Sequence, residues 1–290
     1  MLNRLFGNFL VQKQRITQNQ LDDLLPVSKE LKAEVETIAI INKILAPSTV
    51  QELLGKFDKS KERFGEVAIE AGYLTDDKLD TMLTYQSNTF MKFIQSLMNK
   101  HLLAIEQINP FLDEFQQLGG YSDTQMSALI HDDLEQCISI FVPLKSMQLK
   151  ELTLTLVQTI RRLIDRDMYL DKAYTARSLQ LDKYASQAII GDIRIKVYVS
   201  APDNGLLGIA NYFTGDTYEA VNEDALDNVG EFINCVNGLF ATNLSYSDIE
   251  IDMNSPEYSS DGPFISNEKL FVIPIHANGY SFRAIFEVYE

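Results

Sequence analysis

Glu231 and Asn234 stand three residues apart in "VNEDALDNVGEFINCVNGLFATNLS", residues 221–245, with Gly230 and Gly238 on either side. A carboxylate can pair with a cation, and a neutral carboxamide can donate and accept hydrogen bonds without titrating. At i, i+3 on a helix the two side chains stand next to each other. Each glycine costs roughly 1 kcal/mol against alanine inside a helix, so the pair of glycines needs a reason. On a helical wheel Ala225, Val229, Phe232, Ile233, Val236 and Phe240 form one apolar arc, the buried face. Asp227, Glu231, Asn234, Gly238 and Thr242 fall on the opposite arc, with Gly230 at its edge. Glycines there remove side chains that would hold another surface away. The helix therefore reads as a docking ridge, with Glu231 and Asn234 at its centre and Asp227, Gly230, Gly238 and Thr242 as partner contacts.

Other chemistry finds no pattern. His101, His131 and His276 are far apart, with no H-E-x-x-H or C-x-x-C spacing for a metal. There is no G-x-S-x-G elbow, no Walker A loop and no G-x-G-x-x-G. Cys235 adjoins Asn234 but has no basic neighbour to favour a thiolate, and it reads as packing.

The elements that must hold the ridge come from the C-terminal half. "ASQAIIGDIRIKVYVSA" (185–201) alternates apolar and polar residues as half-buried strands do. "PDNGLLGIANYFTG" reads as a short helix with Gly215 near its end, and "NSPEYSSDGPF" (254–264) as a polar loop. "KLFVIPI" and "YSFRAIFEVYE" read as strands joined through Asn278-Gly279, a favoured hairpin turn. Residues 149–166 are compatible with an amphipathic helix, although Thr153 and Thr155 alternate in a strand-like way. Strands and helices segregate, which predicts a mostly antiparallel sheet packed against long helices.

The first 120 residues repeat with a period of 29. Phe6, Val35, Phe64 and Phe93 open the blocks; Ile16, Leu45, Leu74 and Leu103 mark the turns; Leu21, Val50, Leu79 and Ile108 follow. Thr17, Ser48 and Thr75 offer N-cap hydroxyls after the turn. Each block reads as helix, turn, helix, and stacked blocks share one core. The expected organisation is a helical repeat domain over 1–118, a connecting segment over 119–148, and an α+β domain over 149–290. "CISIFVPL" (137–144) in the connecting segment reads as a strand.

Composition narrows the partners. Of 290 residues, 46% are hydrophobic and 23% charged, which suits a core-forming chain. The net charge of −16 is concentrated: residues 1–120 carry 13 basic and 16 acidic side chains, residues 121–290 carry 12 and 25. So acidic a half repels phosphate backbones and argues against nucleic acid. No apolar run is long enough for a membrane span. The N-terminus lacks an apolar core followed by a small-residue cleavage site, and two cysteines make no disulfide framework, so the cytoplasm is expected.

The 223–244 segment resembles the signature helix of the CheC/CheX/FliY phosphatases of bacterial chemotaxis, roughly E-x-A-x-x-x-x-G-E-x-x-N-x-x-x-G-x-x-A-x-x-L. Glu223, Ala225, Gly230, Glu231, Asn234, Gly238, Ala241 and Leu244 fill it, and Gly191 and Pro256 sit where that family has such residues. The resemblance implies a CheC-like α+β fold over the C-terminal half and a phosphatase acting on a phosphorylated CheY-type response regulator. It implies Glu231 as the anchor to the regulator's lysine and Asn234 as the residue that orients the attacking water. No cofactor of its own is implied, since the regulator carries its own Mg²⁺. The 149–166 helix has no E-x-x-N, so one site is expected, and a homodimer is expected by analogy with relatives that pair through their sheets. A non-catalytic, protein-binding adaptor on the same fold remains the alternative.

The third repeat block resembles the N-terminal domain of type II secretion and pilus-assembly ATPases, in which paired blocks of some members bind cyclic di-GMP. Arg63, Gly65, Gly72 and Gln86 occupy the places that the resemblance gives to nucleotide binding, with Leu79 and Leu83. The second block has Glu36 and Lys43 where the glycines belong. A cyclic di-GMP receptor is the third reading.

Overall fold

The computed structural model describes residues 1–28, 30–56 and 62–289. The chain divides into two compact units, Leu2–Asp133 and Leu134–Glu290. The division falls inside the segment that the sequence leaves as a connection. No helix of the described residues is long and apolar enough to cross a membrane.

The first unit is helical, and its blocks are the four expected helix pairs: α1 Leu2–Gln12 with α2 Gln18–Ser28, α3 Val35–Ile41 with α4 Pro47–Lys56, α5 Phe64–Glu70 with α6 Asp76–Thr84, and α7 Thr89–Asn99 with α8 Ile108–Gly119. The first helix of every pair ends in a turn with one residue at positive φ, and those residues recur at the repeat period: Gln14 at 56°, Lys43 at 55°, Gly72 at 78° and His101 at 55°. Geometry is conserved between blocks where residue type is not. Thr75 caps α6 by accepting from the Lys78 N–H, and Thr17 and Gln20 exchange bonds at the start of α2. Ser48 does not cap α4: the helix begins one residue earlier, at Pro47, whose missing N–H costs nothing at a first helical position. Helix α9, Asp123–His131, completes this unit, capped by Ser122 and Gln125.

Residues 137–144 correct an expectation. Residues 137–141 belong to helix α10, Leu134–Phe141, whose apolar residues Leu134, Cys137, Ile138 and Phe141 recur at helical spacing, and residues 142–144 follow it outside any strand. Helix α11, Met147–Leu163, follows. Its threonines fit a helix because the Thr153 and Thr159 hydroxyls donate to the carbonyls of Leu149 and Thr155, each at 2.7 Å.

The second unit is α+β, and all its strand pairs are antiparallel. The strands are β1 Tyr169–Leu170, β2 Tyr174–Gln180, β3 Lys183–Gly191, β4 Ile195–Ala201, β5 Ile251–Met253, β6 Glu257–Ser259, β7 Phe264–Ala277 and β8 Tyr280–Val288. Their order is β1-β7-β8-β4-β3-β5, with β2 also on β7 and β6 also on β3. β6 interrupts the polar loop expected over 254–264. Residue 290, the end of the last expected strand, lies outside the described residues. Asn278 and Gly279 both take positive φ, 51° and 81°, in the two-residue turn that joins β7 to β8.

Between β4 and β5 the chain forms α12, Leu207–Phe213, and the long helix α13, Glu223–Ser245. Asn222 caps α13 by accepting from the Ala225 N–H at 2.9 Å. Register places Ala185, Gln187 and Ile189 of β3 opposite Val199, Val197 and Ile195 of β4, all on the face that α13 covers. The other face is closed too. Leu181, Tyr198, Ile265, Leu270, Val272 and Ile285 form a second buried cluster there, with Ala176 and Leu179 of β2 against it. A sheet closed on both faces gives α13 a stiff bed.

Candidate functional site

The wheel is realised in α13. Ala225, Val229, Phe232, Ile233, Val236 and Phe240 are buried against the sheet, while Asp227, Glu231 and Thr242 are exposed. Asn234 is half-buried beside Glu231. The two glycines separate in role. Nothing stands within 4 Å of where a Gly238 Cβ would be, so that stretch of helix is bare. Gly230 is buried instead, and its Cβ would lie 3.1 Å from Pro256 Cβ. The close approach that Gly230 was expected to offer a partner is taken by the chain's own 254–256 segment, because that segment crosses the helix there. The open ridge is therefore Asp227, Glu231, Asn234, Gly238 and Thr242.

Beneath Asn234 lies a network that sequence reasoning missed. Gln187, 1% exposed, donates from Nε2 to Asn234 Oδ1 at 2.8 Å and to the Asn254 carbonyl at 2.9 Å. Its Oε1 accepts from Asn237 Nδ2 at 2.8 Å. Asn234 Nδ2 has no partner among the described residues. The site thus consists of an exposed carboxylate, an adjacent carboxamide held from below, and flat helix surface around them. Such a pair can grip a cation with Glu231 and offer hydrogen bonds to a bound water with Asn234. Among the described residues no group of three His, Cys, Asp or Glu is placed to hold a metal ion. His276 is tied to Ser281 Oγ at 2.7 Å and Asp171 Oδ2 at 2.8 Å, away from α13 on the β7–β8 hairpin.

Arg63, Gly65 and Gln86 come together with Leu79 and Leu83 around one cavity of about 540 Å³ in the helical unit, but Gly72 does not line it. Gly72 serves the turn after α5 through its positive φ. Gly65 lets Leu79 close on α5, since its Cβ would stand 2.5 Å from Leu79 Cδ1. Glu34, Glu36 and Glu66 also line the cavity, giving it three carboxylates to one guanidinium. That balance opposes an anionic ligand.

The second unit defines a class: an α+β module whose antiparallel sheet carries one long helix with a carboxylate–carboxamide pair, Glu231 and Asn234, on its outward side. The family described as chemotaxis phosphatase CheX matches residues 184–276, from β3 through α13 into β7. The resemblance of the C-terminal half to that family is thereby shown; the match does not reach the repeats, and the ATPase resemblance is not shown. No curated protein matches the chain. Similar solved structures include a chemotaxis protein CheX from Desulfovibrio desulfuricans, 19% identical, covering 50% of this chain and 100% of that one at a TM-score of 0.43. Another is the chemotaxis protein CheX from Vibrio vulnificus, 16% identical, covering 50% and 100% at 0.43. A third is the CheX-CheY-BeF3-Mg²⁺ complex from Borrelia burgdorferi, 13% identical, covering 49% and 98% at 0.37.

Proposed function

We propose that the second unit hydrolyses the aspartyl phosphate of a CheY-type response regulator in chemotaxis or a related two-component pathway of the cytoplasm. The observation that carries this reading is the placement of exposed Glu231 beside half-buried Asn234 on the bare side of α13, inside the segment that matches the CheX family. Glu231 anchors the regulator by pairing with a lysine at its phosphorylation site. Asn234 enters that site and orients a water in line with the leaving carboxylate. The water oxygen bonds to phosphorus, the aspartyl oxygen–phosphorus bond breaks, and phosphate departs with the water's protons. An acyl phosphate needs little more than this alignment. Asn234 moves no proton, and the regulator brings the Mg²⁺ that neutralises the phosphoryl oxygens.

Phosphate release from several phosphorylated CheY-type regulators tests the reading. Wild type should accelerate release; Asn234→Ala should return it to the regulator's own rate while still binding. Glu231→Ala should weaken binding without unfolding the protein, because the side chain is exposed. Binding without acceleration by wild type, across the regulators tried, would make the protein an adaptor.

A further inference from the structure

Gln187 occupies a place where an apolar residue would be simpler. It lies in β3 between buried Ala185 and Ile189, under α13. Burying an unpaired amide costs on the order of 1–3 kcal/mol, so each of its atoms needs a partner. The partners also fix its orientation. A main-chain carbonyl only accepts, so the Gln187 atom 2.9 Å from the Asn254 oxygen is Nε2. Oε1 therefore faces Asn237, which must offer Nδ2, and Asn234 must turn Oδ1 inward to accept the second Nε2 hydrogen. One carbonyl sets the sense of three amides. The arrangement leaves Asn237 Oδ1 buried without a partner, a cost that packing alone would not select.

We infer that Gln187 is the positioning residue for Asn234, holding its carbonyl oxygen toward the sheet and turning its N–H₂ to the docked regulator. The inference rests on the reading of Asn234 given above. The terminal torsion of asparagine is broad and roughly two-fold. Without Gln187 the amide would present either end, and a water aligned for attack would be held only part of the time.

The test uses the full chain and a phosphorylated CheY-type regulator that wild type dephosphorylates. Gln187→Met keeps the volume and removes the donor. Its expected effect is a roughly 10-fold fall in kcat with KM unchanged, within the range that misplacement of a reacting group produces. Should that variant not fold, Gln187→Leu, of similar size and likewise without a donor, carries the same expected loss. Ile285→Val, on the opposite face of the sheet, serves as a control of reduced thermal stability and should keep its kcat. If Asn234→Ala abolishes release while Gln187→Met stays within two-fold of wild type, the positioning inference is overturned and the phosphatase reading stands. A kcat that falls equally in Ile285→Val would reduce Gln187 to a packing role. An unaltered rate in Asn234→Ala would overturn the phosphatase reading, and this inference with it.

Discussion

Gly230 lies directly under Pro256, so that a Cβ added to the glycine would stand 3.1 Å from the proline's Cβ. Gly238, two turns along the same helix, faces open space. The two glycines share a spacing in the sequence and have opposite surroundings in the fold.

Substitution should separate them. Gly238→Ala relieves the helix of its most flexible residue and should stabilise the second unit by roughly 0.5–1 kcal/mol. Gly230→Ala gains the same propensity but must push the 254–256 segment by a few tenths of an ångström, so its gain should be smaller or reversed. Thermal melts of both variants read the difference. Gly238→Phe should fold normally and lose regulator binding, because its ring would occupy the bare ridge; titration against a regulator checks this.

The turns of the repeats make a second expectation. Gln14 holds a φ of 56°, a conformation that costs a side-chain-bearing residue about 1 kcal/mol and glycine little. Gln14→Gly should raise the urea midpoint of the helical unit, by the equivalent of about 0.5 kcal/mol after its greater unfolded-state entropy is counted. Gly72→Ala, at 78°, should lower it by about 1 kcal/mol.

Gly7 and Gly65 stand at equivalent places in the first and third blocks, each beneath a leucine of the partner helix, Leu21 and Leu79. Leu21 is fully buried, whereas Leu79 is half-buried and free to swing outward. Gly7→Ala should therefore destabilise by roughly 1–3 kcal/mol, as overpacking does, and Gly65→Ala by less. Paired denaturation curves check the order.

A base-dependent loss of stability is expected from the outer face of the sheet. Burial, and then the Glu287 carboxylate that its hydroxyl meets at 2.6 Å, push the Tyr198 phenol well above its ordinary value of 10.0. Above about pH 10 the unfolded phenol ionises while the folded one keeps its proton, so the native state binds more protons and stability falls as pH rises. Below pH 10 this contribution is fully present. Tyr198→Phe should make the decline shallower in melts between pH 9 and 11.

What the sequence reveals depends on how far each signal reaches. Helix α13 is legible because its apolar residues keep one face from Ala225 to Phe240, and the β7–β8 hairpin because Asn278-Gly279 accepts positive φ at both positions. The four helix pairs are legible as a repeat. Helix α10 is not, since it is short and Ile138, Ile140 and Val142 alternate across its end as the residues of a strand would. Strand β2 passes unread because its residues are mostly exposed and carry little alternation. Gln187 is missed for a different reason: β3 mixes polar and apolar residues on both faces, with Ser186 buried on one and Gln187 on the other, so a polar residue in it reads as the solvent side of an ordinary alternation. The signal was the series Ala185, Gln187, Ile189, which sets the glutamine among apolar neighbours of the same face. The cover over Gly230 is a contact between residues 26 positions apart, Gly230 and Pro256, and no local pattern encodes it.

The Asn254 carbonyl has a consequence for inheritance. It is a group that every amino acid possesses, so position 254 can change its side chain freely while the polarity of Gln187, Asn237 and Asn234 is passed on intact. A family alignment would show variation there and suggest indifference. The directional information of the site would be carried by the path of the main chain, where substitution cannot easily erase it and counting identities cannot find it.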